Sequence, residues 1–160
     1  MYARRILIAL AVLSLAACTA IGPVKSEDAE SHIAKVVPAE DGAVEMWSAA
    51  EWMPDQRGLP TFGQQMTGGI NVRQGIVILT PASMLFAQWD KAQETYRILL
   101  RIPYAEMQDS EIKSFGRSRM IILTEKNFRT HTFNILGKSG AMIDQEASDR
   151  FAEYIKAKRG

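Results

Sequence analysis

The chain has 160 residues, with 19 Lys or Arg against 18 Asp or Glu, two His and one Cys, for a formal charge of +1. That balance leaves no global field to attract nucleic acid, and one cysteine with two distant histidines makes neither a disulfide framework nor a recognisable metal-ligand set. The length suits one small domain with leading segments, and an apolar fraction of 47% is enough for a compact core.

The first segment, 1–17, reads as a secretory signal. Arg4 and Arg5 form its basic start, and the apolar run 6–17 is too short to span a bilayer, which takes about 20 residues. The only cysteine follows at once. Leu15-Ala16-Ala17-Cys18 resembles the bacterial lipobox, cut between Ala17 and Cys18. The resemblance implies diacylglycerol on the Cys18 sulfur and an N-acyl chain such as palmitate on its freed amine. Two or three chains, at about 0.8 kcal/mol per buried CH₂, anchor a protein stably where one does not. Thr19 after the cysteine, rather than an aspartate, resembles lipoproteins sent to the outer membrane and facing the periplasm in a two-membrane cell. The alternative is an ordinary cleaved signal with an incidental cysteine. Without Arg4 and Arg5 the remaining chain carries 17 basic and 18 acidic residues, a net of −1.

The stretch 18–42 is polar, acidic and rich in alanine, with Gly22-Pro23 and Pro38 as breakers. Without a convincing apolar face over 27–37, it is predicted to be a flexible tether lifting the domain off the membrane. His32 reads there as a surface histidine. The domain itself is expected over 43–160. Within 43–67, Val44, Trp47 and Ala50, with Met46 and Met53 alongside, predict a short helix ended before Pro54 and then a loop. Trp47 and Trp52 are expected to pack on the domain, or else to form part of a docking surface. The glycines Gly63, Gly68 and Gly69 lack the following Lys-Ser/Thr of a phosphate loop.

From 68 to 137 short β-type runs follow one another. Gly75-Ile-Val-Ile-Leu-Thr80 is β-branched and apolar, with Ile70–Arg73 read as a possible strand just ahead of it, and Met84-Leu-Phe-Ala-Gln-Trp89 comes after a turn. Tyr96, Ile98, Leu100 and Ile102 alternate against Arg97, Leu99 and Arg101 up to Pro103, which cannot donate to a ladder. Runs beginning at Glu111, Arg119 and Phe128 complete the set. Their spacing of about 8–12 residues predicts an antiparallel barrel or sandwich. Over 143–158 the period changes: Asp144 is the N-cap, and Ala147, Phe151 and Ile155 recur every four residues on one helix face. The fold class is therefore mainly β with a C-terminal α-helix, a small antiparallel barrel capped by that helix.

The Gly75–Thr80 strand, Leu85-Phe86, Ile102-Pro103-Tyr104-Ala105-Glu106-Met107, Met120-Ile-Ile-Leu123, His131-Thr-Phe133 and the last helix together resemble the pleckstrin-homology-like superfold, nearest its GRAM-type branch. The likeness covers about the last 90 residues. It departs from the eukaryotic lipid-binding members in lacking a dense basic loop between the first two strands, so phosphoinositide binding does not carry over.

No reaction is legible. His131 stands on a strand, expected at a solvent edge, with no Gly-x-Ser-x-Gly elbow to complete a triad, so neither a catalytic residue nor a metal site is assigned. Arg97, Arg101, Lys113, Arg117, Arg119 and Arg129 are either the solvated face of alternating strands or a rim that meets an anionic surface. The function expected is that of a non-catalytic, lipid-anchored envelope protein. It would bind or scaffold an envelope-protein partner through a free strand edge or the barrel mouth opposite the terminal helix. The alternative is a lipid-binding or lipid-sensing domain with Met84, Phe86, Trp89 and Phe133 lining an apolar cavity. An envelope hydrolase is the remaining reading.

Overall fold

The computed structural model describes residues 21–23, 26–54, 71–115, 118–137, 140 and 142–159. The expected signal segment, its cleavage between Ala17 and Cys18, the lipidation site at Cys18 and Arg117 lie outside the described residues.

Among the described residues two helices, α1 (Ser26–Val36) and α2 (Gln145–Arg159), flank seven strands: β1 (Met46–Pro54), β2 (Arg73–Leu79), β3 (Ser83–Asp90), β4 (Thr95–Pro103), β5 (Met107–Phe115), β6 (Ser118–Glu125) and β7 (Thr130–Ile135). The sheet order is β4-β3-β2-β1-β7-β6-β5, and every pairing is antiparallel. β1 joins the two halves. Its residues from Met46 to Trp52 pair with β2, and those from Ala50 to Pro54 pair with β7. β4 and β5 are left as the two edges.

Strand alternation sorts the apolar side chains into two clusters. Ala50 and Trp52, Val77 and Leu79, Met84 and Phe86, Ile121 and Leu123, and Phe133 and Ile135 point inward, where Phe151 and Ile155 of α2 close over them. Ala49, Ile76, Ile78, Leu85 and Ala87 point outward, yet they are buried under Ile21 and under Ala29 and Ile33 of α1. Burial on both faces explains why β2 and β3 read as continuous apolar runs rather than alternating ones. Each large side chain so buried contributes about 1.5–3 kcal/mol. At Gly75 a Cβ would lie 2.3 Å from the Ala87 carbonyl oxygen, so no larger residue fits there.

The alternation expected across β4 is broken by a bulge. Ala87 faces Ile98 and Phe86 faces Leu100, which leaves Leu99 as the extra residue. Tyr96 and Ile98 thus pack in the outer cluster, whereas Leu100 and Ile102 pack in the inner one.

Two expectations are corrected. The helix expected within 43–67 is the strand β1, and of the possible strand Ile70–Arg73, Ile70 lies outside the described residues, Asn71 and Val72 are not in a strand, and Arg73 begins β2. Apolar residues at both Trp47 and Ala50 mimic a helical spacing because each lies on a different buried face of one strand. The flexible tether expected over 18–42 contains α1, whose Ala29 and Ile33 have no exposed surface. Its apolar stripe is short, only Ala29, Ile33 and Val36 or Val37, but the outer face of the sheet supplies the rest of the contact. The chain after α1 is also fixed. Asp41, in the 3₁₀ turn Ala39–Asp41, receives two hydrogen bonds from Arg101 of β4, each 2.8 Å long. α2 meets its expectation. The Asp144 carboxylate accepts the Ala147 N–H at 2.9 Å, and Ala147, Phe151 and Ile155 are the buried face.

Candidate functional site

β5, nine residues long like β4, is one of the two edge strands of the sheet. Among the described residues it pairs with β6 alone, so alternate N–H and C=O groups turn away from the sheet. α2 lies beside this edge, and a groove of about 300 Å³ runs between them, lined by Ser110, Glu111, Ile112, Ala152, Glu153 and Lys156. Ile112 stands 38% exposed at its centre, an apolar side chain a passing strand would cover. The groove walls are pinned. Arg119 bonds Asp149 of α2, and Arg159 donates to the Gln108 carbonyl at 3.2 Å and to the Asp109 carboxylate at 2.6 Å. Those Arg159 and Ser110 hydrogen bonds hold the Asp109 carboxyl below its ordinary pKa. The other edge, β4, packs against α1 as β5 packs against α2.

The barrel mouth opposite α2 is built from the ends of β1, β3 and β6 and the starts of β2, β4 and β7. Here Trp52 Nε1 donates to His131 Nδ1 at 3.3 Å, while His131 Nε2 lies 2.9 Å from Glu125 Oε1. An indole nitrogen only donates, so Nδ1 is the unprotonated nitrogen and Nε2 carries the proton given to Glu125. His131 is 4% exposed, a correction to the solvent edge expected for it, because β7 is an interior strand of the sheet. Arg73 lies over the Trp52 ring, 5.5 Å from its centroid. Outside this buried row, the β6–β7 turn holds Phe128 75% exposed, with a left-handed φ of 66°.

The remaining sequence-predicted residues are dispersed. Arg101 is committed to Asp41, Arg119 to Asp149 and Lys113 to Glu111 at 2.8 Å. Arg97 and Arg129 are exposed on β4 and in the β6–β7 turn, without an ion pair among the described residues. Met84, Phe86 and Phe133 do not line a shared cavity with Trp89. The first three fill the inner core, with Phe86 5.2 Å from Trp52 and 6.2 Å from Phe133. Trp89 lies on the outer face, edge-on to Tyr96 and to His32, each at 5.0 Å. Burial pushes the Tyr96 hydroxyl up to about 12. Among the described residues no three His, Cys, Asp or Glu side chains are grouped to hold a metal, and no helix is long and apolar enough to cross a membrane.

No protein-family profile matches this chain, and no curated protein does. Forty-eight chains of solved structures match it. One is Vav1 inhibited by an allosteric inhibitor, in a structure whose title states that Vav1 inhibitors block GEF activity. Its TM-score is 0.57 at 10% identity, over 83% of this chain and 32% of that one. The chain spans about a third of that structure, and at such identity the likeness concerns the fold alone. The fold is pleckstrin-homology-like. In this pleckstrin-homology-like arrangement β1 bridges the two half-sheets and α2 closes one end, opposite the mouth. Sequence reasoning named both surfaces in general terms. It missed that β4 and β5 are the edges, because pairing order is not written in local pattern.

Proposed function

We propose that this chain is a non-catalytic binding module of the bacterial cell envelope, anchored by lipid at Cys18, that captures an extended segment of an envelope protein along β5. The observation that carries this reading is the nine-residue edge of β5, which among the described residues pairs on one side only, beside a groove lined by Ile112. Main-chain hydrogen bonds would supply affinity and the Ile112 groove would select side chains, as in strand addition generally. The lipobox-like Leu15-Ala16-Ala17-Cys18 supports the anchor, and Thr19 supports the outer membrane as its destination. The GRAM-like run Ile102-Pro103-Tyr104 supports placing the domain near that branch.

Crosslinking and capture from envelope extracts with the full acylated protein test the reading. Ser110→Pro and Ile112→Lys should each abolish recovery of a reproducible partner, while Lys91→Glu in the β3–β4 turn should not. Undiminished capture by both β5 variants would rule out the edge as the binding surface.

A further inference from the structure

The chain enters the fold flush against it, immediately after the proposed anchor. Ile21 is 5% exposed and belongs to the outer apolar cluster with Ala49 and Tyr96. Tyr96 donates its hydroxyl proton to the Ile21 carbonyl at 3.0 Å. Gly22 follows with φ +84°, where a Cβ would lie 2.8 Å from the Tyr96 oxygen and 3.0 Å from Trp89. On the other side of Ile21, a Cβ on Gly140 would meet its Cδ1 at 2.7 Å. Only Thr19 and Ala20 separate this seated residue from Cys18. Three residue steps reach at most about 11 Å, roughly the width of one helix.

The face around Ile21 has a definite character. It carries α1, and beside α1 opens a groove of about 860 Å³ whose apolar lining includes Ile33, Val37, Val44 and Trp47, with Glu30 and Glu45 at its sides. The outward residues of α1 are Glu27, Asp28 and Glu30 against Lys35, so charge gives this face no attraction to anionic lipid. β5 belongs to the other half of the barrel, across the inner core of Trp52, Phe86 and Phe133.

We propose that the lipid on Cys18 is a rigid mount and not a tether: it lays the face formed by Ile21, α1 and the adjoining groove against the bilayer surface, and turns the β5 edge away from the membrane. The inference rests on the lipoprotein reading above and deepens it. The occupant of the groove face is the headgroup layer and upper acyl region of the bilayer. The short link from Cys18 holds it there without help from charge, and the acidic residues of α1 make anionic lipid oppose the contact. The consequence is functional: the strand edge is presented outward to partners, at a fixed height and orientation.

The test uses the full acylated protein in phosphatidylcholine vesicles containing a headgroup-quencher lipid. Acylation consumes the only native thiol, so Ala34→Cys on α1 or Glu111→Cys on β5 can be labelled singly with a fluorophore. The Ala34→Cys label should be quenched several-fold more than the Glu111→Cys label. Adding Ile21→Asp, or inserting about 20 Gly/Ser residues between Ala20 and Ile21, should remove that difference, since a chain of that kind behaves as a flexible coil. Equal quenching of the two labels, with Cys18 acylated by mass spectrometry, would overturn the mount alone. An unmodified Cys18 would overturn the lipoprotein reading and the mount with it.

Discussion

Ile33→Ala measures whether the segment ahead of the barrel is part of the folded domain. Ile33 has no exposed surface and packs in the outer cluster with Ala29, Ile76, Ile78 and Leu85. Truncating a buried isoleucine to alanine costs about 2–5 kcal/mol, and more where the cavity cannot collapse. Ile33 also lines the open groove beside α1, where the surroundings can relax, so the lower part of that range, about 2–3 kcal/mol, applies. An isolated helix of 11 residues is marginal in water, so α1 depends on this contact rather than on its own propensity. Urea unfolding of the Cys18→Ser protein, followed by tryptophan fluorescence, is the assay. Trp89 sits under α1 against His32 and reports directly. With a slope of about 1–3 kcal/mol per molar urea, the midpoint should fall by roughly 1 M. A tether would behave as an exposed surface, with a change within about 0.5 kcal/mol. A value that small would refute the packing argument, and the rigid mount built on it.

Four further outcomes are expected. Arg101→Ala strands the buried Asp41 carboxylate and should cost about 2–3 kcal/mol near neutral pH, less than for a fully buried pair because the Arg101 side chain is 38% exposed. The Arg101 hydrogen bond holds the Asp41 carboxyl below its ordinary 3.8, so the stability it gives is complete above that value. It is lost as pH falls through the lower folded value, and the mutant's deficit should shrink over that acid window in denaturation curves. Trp52→Phe leaves His131 Nδ1 buried without its donor and should cost about 1–3 kcal/mol by thermal unfolding. Gly75→Ala forces a Cβ onto the Ala87 carbonyl and should destabilise by about 1–3 kcal/mol in the same assay. Phe128→Gly relieves a left-handed φ that costs a side chain about 1–2 kcal/mol, so its midpoint should rise or stay level despite the added chain entropy.

Local pattern carried much of the fold. Alternation ended by Pro103 located β4, apolar runs ended by polar turns located β3 and β6, and the four-residue recurrence of Ala147, Phe151 and Ile155 located α2 with its cap at Asp144. The misreadings share one cause. β1 and α1 each bury apolar residues against the outer face of the sheet, a surface that exists only once β1 to β4 have paired. Before pairing, Trp47 and Ala50 look helical, and Ala29 and Ile33 look too sparse to hold a helix down. His131 fails for a similar reason: only the order of strands shows that β7 lies between β1 and β6, with Trp52 and Glu125 on either side of the ring.

The sequence by itself determined that the segments of β2 to β7 extend and that the last one coils into the closing helix, because side-chain pattern and Pro or Gly punctuation act over a few residues. Tertiary structure alone decided that the sheet has a second buried face, that Ile21 and α1 cover it, and that β4 and β5 are its edges. Those outcomes depend on contacts between residues tens of positions apart, such as Asp41 with Arg101 and Tyr96 with Ile21, whose energy appears only after the strands have chosen their neighbours.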